Sequence, residues 1–343
     1  MTTIYLIRHA QCDGNLYRQY DGAYNSPLTN LGWQQAAALS ERFEAVHLDA
    51  IYSSDQQRAV DTARTVAEKK GMTVQNHRGL REANIGLWDH MDVADIEELW
   101  PGRKDDFSER MHLWSAPGAE VLQEAGERVA AALWEIARRH DGETVAAVSH
   151  GDVIKMVLGL LQGMTLEQAG QVRAYSTNTA VSKLEFDGDA VRVLYTHDFS
   201  HLPSGLVSKM TADQQWGMRY RILGYHEPFP VEDVENVPER TEGIWIGGYV
   251  KGEPAALVQL KDTVCGQPGE IGFYYIVPRF RGRRLGIQPV GKIVDILRAL
   301  KVPGVRIRLQ KEEHQRYFSR RDNFVHVEGD IWERPIPPLL PLD

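Results

Sequence analysis

The sequence predicts a layered α/β domain with a mainly parallel sheet over residues 1–203, followed by a smaller α+β domain over 241–343. Three observations carry this prediction. Almost continuously apolar runs at 3–8 and 145–148 have the pattern of strands buried on both faces, and they alternate with stretches of helical periodicity. At 343 residues the chain exceeds the usual size of one hydrophobic core, so two domains are expected. After Pro203 the alternation stops. Residues 204–240 are polar and irregular, with Pro228, Pro230 and Pro238, and form a linker or the start of the second domain.

Taken in order, residues 3–8 form a buried strand. Pro27 and Thr29 precede a helix over about 31–45, with Thr29 as its N-cap. Residues 49–53 make a short strand and 55–69 an Ala-rich helix. Val129, Leu133, Ile136 and Ala137 share one face of a helix over about 121–139. A second buried strand at 145–148 runs into a helix beginning near Gly151. His9, Ser53 and His150 therefore fall at the C-terminal ends of strands, where functional residues gather in parallel sheets. In the second half, 244–250, 255–260 and 271–277 are strand-like, with a turn at 251–254. A helix follows with Ile287, Val290, Val294 and Leu297 on one face; Pro289 is tolerated only in its first turn. Val305, Ile307 and Leu309 alternate as a further strand, and the proline-rich tail 335–341 is extended.

Composition narrows the function. No apolar run approaches the roughly 20 residues of a membrane span, and Met1-Thr2-Thr3 leads into a strand without a signal-peptide pattern. Cys12 and Cys265 are too few for a disulfide framework or a cysteine metal site, so a reduced, cytoplasmic setting is expected. The net charge of −8 is unevenly shared: 19 basic against 29 acidic residues over 1–203, and 20 against 18 over 204–343. The acidic first half argues against nucleic acid as a partner.

Arg8-His9, just past the first strand, puts a nucleophilic imidazole beside a guanidinium able to hold a phosphate. Leu6-Ile7-Arg8-His9-Ala10, Asn15, Ser54…Arg58…Thr62-Ala63, Leu80-Arg81-Glu82…Gly86, Pro117-Gly118-Ala119-Glu120…Arg128 and Val148-Ser149-His150-Gly151 follow one another in order. Together they resemble the histidine phosphatase superfamily, with its phosphoglycerate-mutase-like fold, over about residues 3–202. The resemblance implies that His9 attacks phosphorus as a neutral imidazole and that His150 stabilises the equatorial oxygens. It also implies that Arg8, Asn15 and Arg58 bind the phosphate, and that Glu82 protonates the leaving alcohol and then activates water. Asp152 is a weaker candidate acid, because Gly151 takes the place directly after the second histidine. No metal or cofactor is expected in this domain, and the partner is a small phosphorylated metabolite. Only 68 positions separate Glu82 from His150, and they include Trp88, Glu97, Glu98, Trp100, Asp105 and Asp106. That favours a phosphatase over the alternative, a phosphoglycerate-type mutase.

Residues 276–286, Ile-Val-Pro-Arg-Phe-Arg-Gly-Arg-Arg-Leu-Gly, resemble the acyl-CoA loop of GNAT-type N-acetyltransferases. The resemblance implies acetyl-CoA bound through Val277, Arg281, Gly282, Arg284 and Gly286, an amine acceptor, and Tyr317 as the nearest acid. Arg284 stands where the family has glycine, so a non-catalytic binding or dimerisation module is the alternative.

Overall fold

Each half of the chain builds one large sheet, the first adding a small β2–β5 pair, as seen in a computed structural model that describes residues 1–172, 176–208, 216–234, 237–264 and 266–342. Cys265 lies outside the described residues. The first half runs β1 (Thr2–Arg8), α1 (Asp13–Tyr17), β2 (Gln19–Tyr20), α2 (Asn30–Phe43), β3 (Ala50–Ser53), α3 (Gln57–Lys70), β4 (Val74–Asn76) and β5 (Met91–Asp92). It continues with α4 (Val93–Leu99), α5 (Arg103–Glu109), α6 (Leu122–Arg139), β6 (Thr144–Ser149), α7 (Gly151–Leu161), α8 (Leu166–Gln171), β7 (Val181–Asp187) and β8 (Ala190–Asp198).

The main sheet has the order β4-β3-β6-β1-β7-β8. The first four strands are parallel, and β7 and β8 add antiparallel edges that the sequence reading did not include. Thr29 caps α2 as expected, its Oγ1 accepting the Gly32 N–H at 3.0 Å. Helices α2 and α3 bury Leu39, Phe43, Ala63 and Val66 against one face of the sheet, while α6 and α7 bury Val129, Leu133, Val153 and Val157 against the other. The chain thus leaves β1 and β6, neighbours in the sheet, toward opposite faces. The crevice at their C-terminal ends is where a ligand fits such a sheet. Trp88, Phe107 and Trp114 stack in the core.

The second half contains β9 (Arg219–Leu223), β10 (Ile244–Val250), β11 (Glu253–Leu260), β12 (Gly269–Ile276), α9 (Gln288–Ala299), β13 (Gly304–Arg308), α10 (Glu312–Arg321), β14 (Val325–Glu328) and β15 (Ile331–Pro335). Its sheet order is β14-β15-β13-β12-β11-β10-β9. Strand β9 pairs with β10, so the second sheet begins inside the stretch 204–240. Only β12 and β13 are parallel neighbours, and their pairing is confined to Gly269–Ile271 against Val305–Ile307.

The two halves share a buried seam. Tyr17 of α1 packs in the second hydrophobic core with Val290, Val294 and Phe318. A Cβ on Gly291 would lie 2.4 Å from the Tyr17 Cγ, so glycine is what lets α9 approach α1. Around this contact, Arg334 Nη2 donates to both carboxylate oxygens of Asp13 at 2.9 Å, and Arg334 Nε to Asp322 at 2.7 Å. The Tyr17 hydroxyl donates to Asp322 at 2.6 Å. Side chains in this cluster are at most 2% exposed at Asp13, Asp322 and Arg334. Further out, His90 bridges Asp21 at 3.1 Å and Asp295 of α9 at 3.0 Å.

Candidate active site

Strand register brings the site together. In the parallel ladder Arg8 stands opposite Ser149, and Ser53 opposite Val148. His9, His150 and the Ser54–Arg58 segment therefore leave three adjacent strands along one line. The His9 and His150 rings lie 5.1 Å apart between centroids.

His9 Nδ1 is 2.7 Å from the Ala10 carbonyl oxygen, a contact that places the ring proton on Nδ1 and leaves the Nε2 lone pair open. Burial first, then the Arg58 and Arg8 charges, hold the ring well below the usual histidine range, so it stays neutral. His150 is also pushed well below that range by burial and by Arg58, and neither of its ring nitrogens has a partner among the described residues. A phosphate dianion would reverse that balance by favouring the protonated ring, making His150 a charged donor.

Asn15 is aimed by its carbonyl oxygen, which accepts from the Cys12 N–H at 3.3 Å and from Asn178 Nδ2 at 3.0 Å. Its NH2 is thereby left for a ligand oxygen. Arg58 is 1% exposed and anchored by the carbonyls of Tyr24, Gly22 and Asp21 at 2.8, 3.0 and 3.2 Å. Arg8 lies across the start of α7, where a Cβ on Gly151 would come within 3.0 Å of its Cζ. Its Nη1 donates to the Ser176 carbonyl.

Glu82 caps α7. Its Oε1 accepts from the N–H groups of Ala83 at 3.0 Å and Val153 at 3.1 Å, and Oε2 from Asp152 at 3.2 Å. Burial, and next the neighbouring Asp152 carboxylate, push Glu82 up to about 7 despite these donors. Arg128 fixes the loop behind it: Nε and Nη2 grip Glu120 at 2.9 Å, and Nη1 donates to the carbonyls of Gly79 and Arg81 at 3.0 Å. A cavity of about 180 Å³ is lined by Arg8, His9, Asn15, Arg58, Glu82 and Asp152. Five of the six residues expected for this chemistry line this cavity, and the sixth, His150, is buried next to His9.

Three contributors escaped the sequence reading. Asn178 aims Asn15 and also donates to the His9 carbonyl at 3.1 Å. Gln56 Oε1 accepts the Glu82 N–H at 3.1 Å. Arg18 lines the cavity. An amide before a strand (Asn178) and one inside the Ser54–Arg58 motif (Gln56) were the available signals.

The five residues expected to bind acetyl-CoA do not form one site. The Val277 N–H donates to the Ala255 carbonyl at 2.9 Å, and its side chain is core. Arg281 is paired with Asp233 at 2.7 Å and its Nε donates to the Ile276 carbonyl. Gly282 has φ +77° and faces open space. The Gly286 carbonyl accepts from the Tyr274 hydroxyl at 2.6 Å. Arg284 lines a cavity together with Tyr317.

Known proteins match the first half. "Phosphoserine phosphatase 1" of Hydrogenobacter thermophilus is 32% identical over 168 residues, covering 49% of this chain and 80% of that protein. "Probable phosphoglycerate mutase GpmB" of Salmonella choleraesuis is 28% identical over 186 residues, covering 54% and 86%. The solved structure of Bacillus stearothermophilus YhfR superposes with a TM-score of 0.56 at 34% identity, covering 59% of this chain and 99% of that one. Residues 4–198, more than half the chain, match the family description itself, and the two histidines, the arginines and Glu82 lie within them. The chain belongs to the histidine phosphatase superfamily (branch 1).

Proposed function

We propose that this protein is a phosphatase that hydrolyses the phosphate monoester of a small metabolite through a phosphohistidine on His9. The observation that carries the reading is the Nδ1 contact to Ala10, which leaves a neutral, lone-pair-bearing Nε2 between two guanidiniums. Arg8, Arg58 and the Asn15 amide neutralise and orient the phosphate. Nε2 forms a bond to phosphorus as the P–O ester bond breaks, and the departing alkoxide takes the Glu82 proton. His150, which takes up a proton from solvent as the dianion binds, stabilises the equatorial oxygens. Glu82, now a carboxylate, takes a proton from water; the oxygen attacks phosphorus, the P–N bond breaks, and inorganic phosphate leaves with His9 restored. This cycle uses only protein groups.

A mutase would have to hold the phosphohistidine away from water while a second acceptor binds. The short 82–150 connection, with its aromatic side chains packed into the core, offers no such enclosure, which favours hydrolysis. The phosphatase-named relative supports the same choice.

For the second half, the parting of β12 from β13 around an arginine loop and α9 supports a GNAT-like scaffold. The loop fits the pyrophosphate of acetyl-CoA poorly: Pro289, in the first turn of α9, has no N–H to offer, and Arg281 is already paired with Asp233. We therefore assign the second half a non-catalytic role rather than acetyl transfer.

The test is His9→Ala, assayed with an aryl phosphate in chelator-treated buffer. Activity should fall to background in the folded variant. Retained turnover overturns the phosphohistidine route.

A further inference from the structure

Arg58 reaches the phosphate cavity with a guanidinium held by three carbonyls, those of Asp21, Gly22 and Tyr24. A guanidinium carries its N–H donors in one plane, so three acceptors on one short loop fix both its position and its tilt. The shape of the 21–24 loop is therefore part of the site. Two consecutive residues, Asp89 and His90, hold that loop. Asp89 Oδ1 accepts the N–H groups of Gly22 at 2.8 Å and Tyr24 at 3.1 Å. His90 takes the side chains: Nδ1 lies 3.1 Å from Asp21 Oδ1, and the ring stacks on Tyr24 with centroids 3.4 Å apart and planes 9° apart. The other Asp21 oxygen accepts from the Ser26 hydroxyl at 2.6 Å.

The second ring nitrogen faces the other half of the chain, with Nε2 3.0 Å from Asp295 Oδ1 of α9. Asp295 Oδ2 accepts from Gln19 at 2.7 Å, so this one carboxylate meets β2 and the residue before β5 together. An ionised carboxylate only accepts hydrogen bonds, so a ring set between two of them donates from both nitrogens and is a cation. A neutral ring would turn a lone pair toward one of the carboxylates. The other charges around the ring are Asp92 of β5, which Lys292 of α9 approaches to 3.6 Å, and Arg298, which donates to the Tyr24 hydroxyl and lies 3.8 Å from Asp295. His90 has φ +61°, the left-handed region that glycine enters without steric cost. A large side chain at such a position is explained when both of its polar atoms and its face are in use, as they are here.

We propose that His90 is a positioning residue for phosphate binding: as an imidazolium it ties Asp21 to Asp295, holds the carbonyl cradle of Arg58 in shape, and makes α9 of the second half part of that support. The proposal rests on the phosphatase reading above and adds to it a dependence on a charge that never touches the substrate. A ring without its proton can donate to only one of the two carboxylates. The loop then loses either its tie to α9 or its grip on Asp21, and the cradle loosens. The window in which this happens follows from the surroundings. Burial disfavours the cation, but the bonds to Asp21 and Asp295 outweigh it and raise His90 to about 9. Burial also raises Asp92 to about 6 and Tyr24 to about 12, so between pH 7.5 and pH 10 the first stays ionised and the second neutral while His90 loses its charge.

The test is calorimetric titration of the full chain with inorganic phosphate at pH 7.5 and pH 10, comparing the wild type with His90→Gln, which keeps a hydrogen-bonding side chain and removes the charge. At pH 7.5 the variant should bind phosphate more weakly by about fivefold or more, the low end of the coupling usual between linked sites. At pH 10 the wild type has lost the same charge, so the ratio of the two Kd values should fall close to one. Asp295→Asn takes away one of the carboxylates that sustain the cation, so the pH at which phosphate binding weakens should move below that of the wild type. A misfolded fraction lowers the apparent number of sites and leaves each Kd unchanged. A ratio near one at pH 7.5 overturns the proposal. So does a raised ratio that is equal at both pH values, since a side chain that only packs against the loop would give that result. Neither outcome touches the phosphohistidine route, which fails only if His9→Ala remains active.

Discussion

Replacing Arg334 by leucine should destabilise the whole protein and also impair the distant phosphate site. Arg334 is fully buried and is the shared partner of two carboxylates: Asp13, 2% exposed, and Asp322, 0% exposed. Without it Asp322 keeps only the Tyr17 hydroxyl and its local contact to the Asn323 N–H, and Asp13 keeps Arg298 at 3.3 Å. Removing one member of a buried ion pair costs about 3–5 kcal/mol, because the remaining charge is neither hydrated nor neutralised. At the low end of about 2–4 °C per kcal/mol, the midpoint of thermal unfolding should fall by about 6–10 °C. The loss should depend on pH. Burial already raises the Asp13 carboxyl above its ordinary range while Arg334 opposes that rise, so removing the arginine raises it further. A folded-state value above the unfolded one means the folded protein binds more protons, so stability falls as pH rises through the folded value. The deficit should therefore be larger at pH 8 than at pH 5. Combining Arg334→Leu with Asp13→Asn and Asp322→Asn should recover much of the loss, since a neutral replacement leaves no stranded charge. Differential scanning fluorimetry at both pH values, with aryl phosphate KM alongside, measures all of this. A drop of under 2 °C, or one equal at pH 5 and pH 8, would refute the reasoning.

Two further outcomes are expected. Glu82→Gln should slow alkyl phosphates by about 10²–10⁴-fold and activated aryl phosphates much less, because only a poor leaving group needs its proton. In the wild type the alkyl phosphate rate should decline as pH rises past about 7, where Glu82 loses that proton, and the variant should lack this limb. Equal losses on both substrate types would remove Glu82 from the acid role. Calorimetric titration with acetyl-CoA should give no saturable heat, given the missing N–H at Pro289 and the pairing of Arg281 with Asp233; micromolar binding would instead restore the acetyltransferase reading.

The phosphate site was legible because its residues sit at strand ends and helix starts. Arg8-His9 closes β1 and Ser149-His150 closes β6, so a local apolar run locates each histidine. Side-by-side placement then follows from parallel register alone. Asn178 was not legible, since its work is to bond Asn15 from 163 positions away. Strand β9 was missed because its exposed, arginine-bearing sequence carries little apolar alternation, with Ile222 69% exposed. In the second half, motif spacing located the arginine loop but could not say which way its side chains face. Arg281 turns to Asp233 and Arg284 to the neighbouring domain's cavity, a difference fixed by the left-handed backbone at Arg284. The seam was invisible for the same reason: Asp13 and Arg334 are 321 positions apart, and neither stands out among the chain's charges.

That seam ties the second half to the supports of the proposed phosphate site. The YhfR structure is matched almost end to end by 59% of this chain, so the catalytic fold occurs there without a counterpart of the remainder. In this protein the segment just after His9 lies against the second half. Tyr17 fills a core belonging to the second half, and Asp13 is paired with Arg334. The same segment carries Asn15 and the three carbonyls that hold Arg58. Tyr24 receives a hydrogen bond from Arg298 at 3.0 Å and stacks on His90 with centroids 3.4 Å apart. Burial opposes charge on His90, yet its bonds to Asp21 and Asp295 prevail and raise it to about 9, so a cation clamps the segment to α9 at neutral pH. Two of the three residues proposed to bind phosphate, Asn15 and Arg58, therefore sit on a segment held by contacts with the second half. A change on α9 reaches the phosphate by moving these supports, with no need for a longer route of coupling.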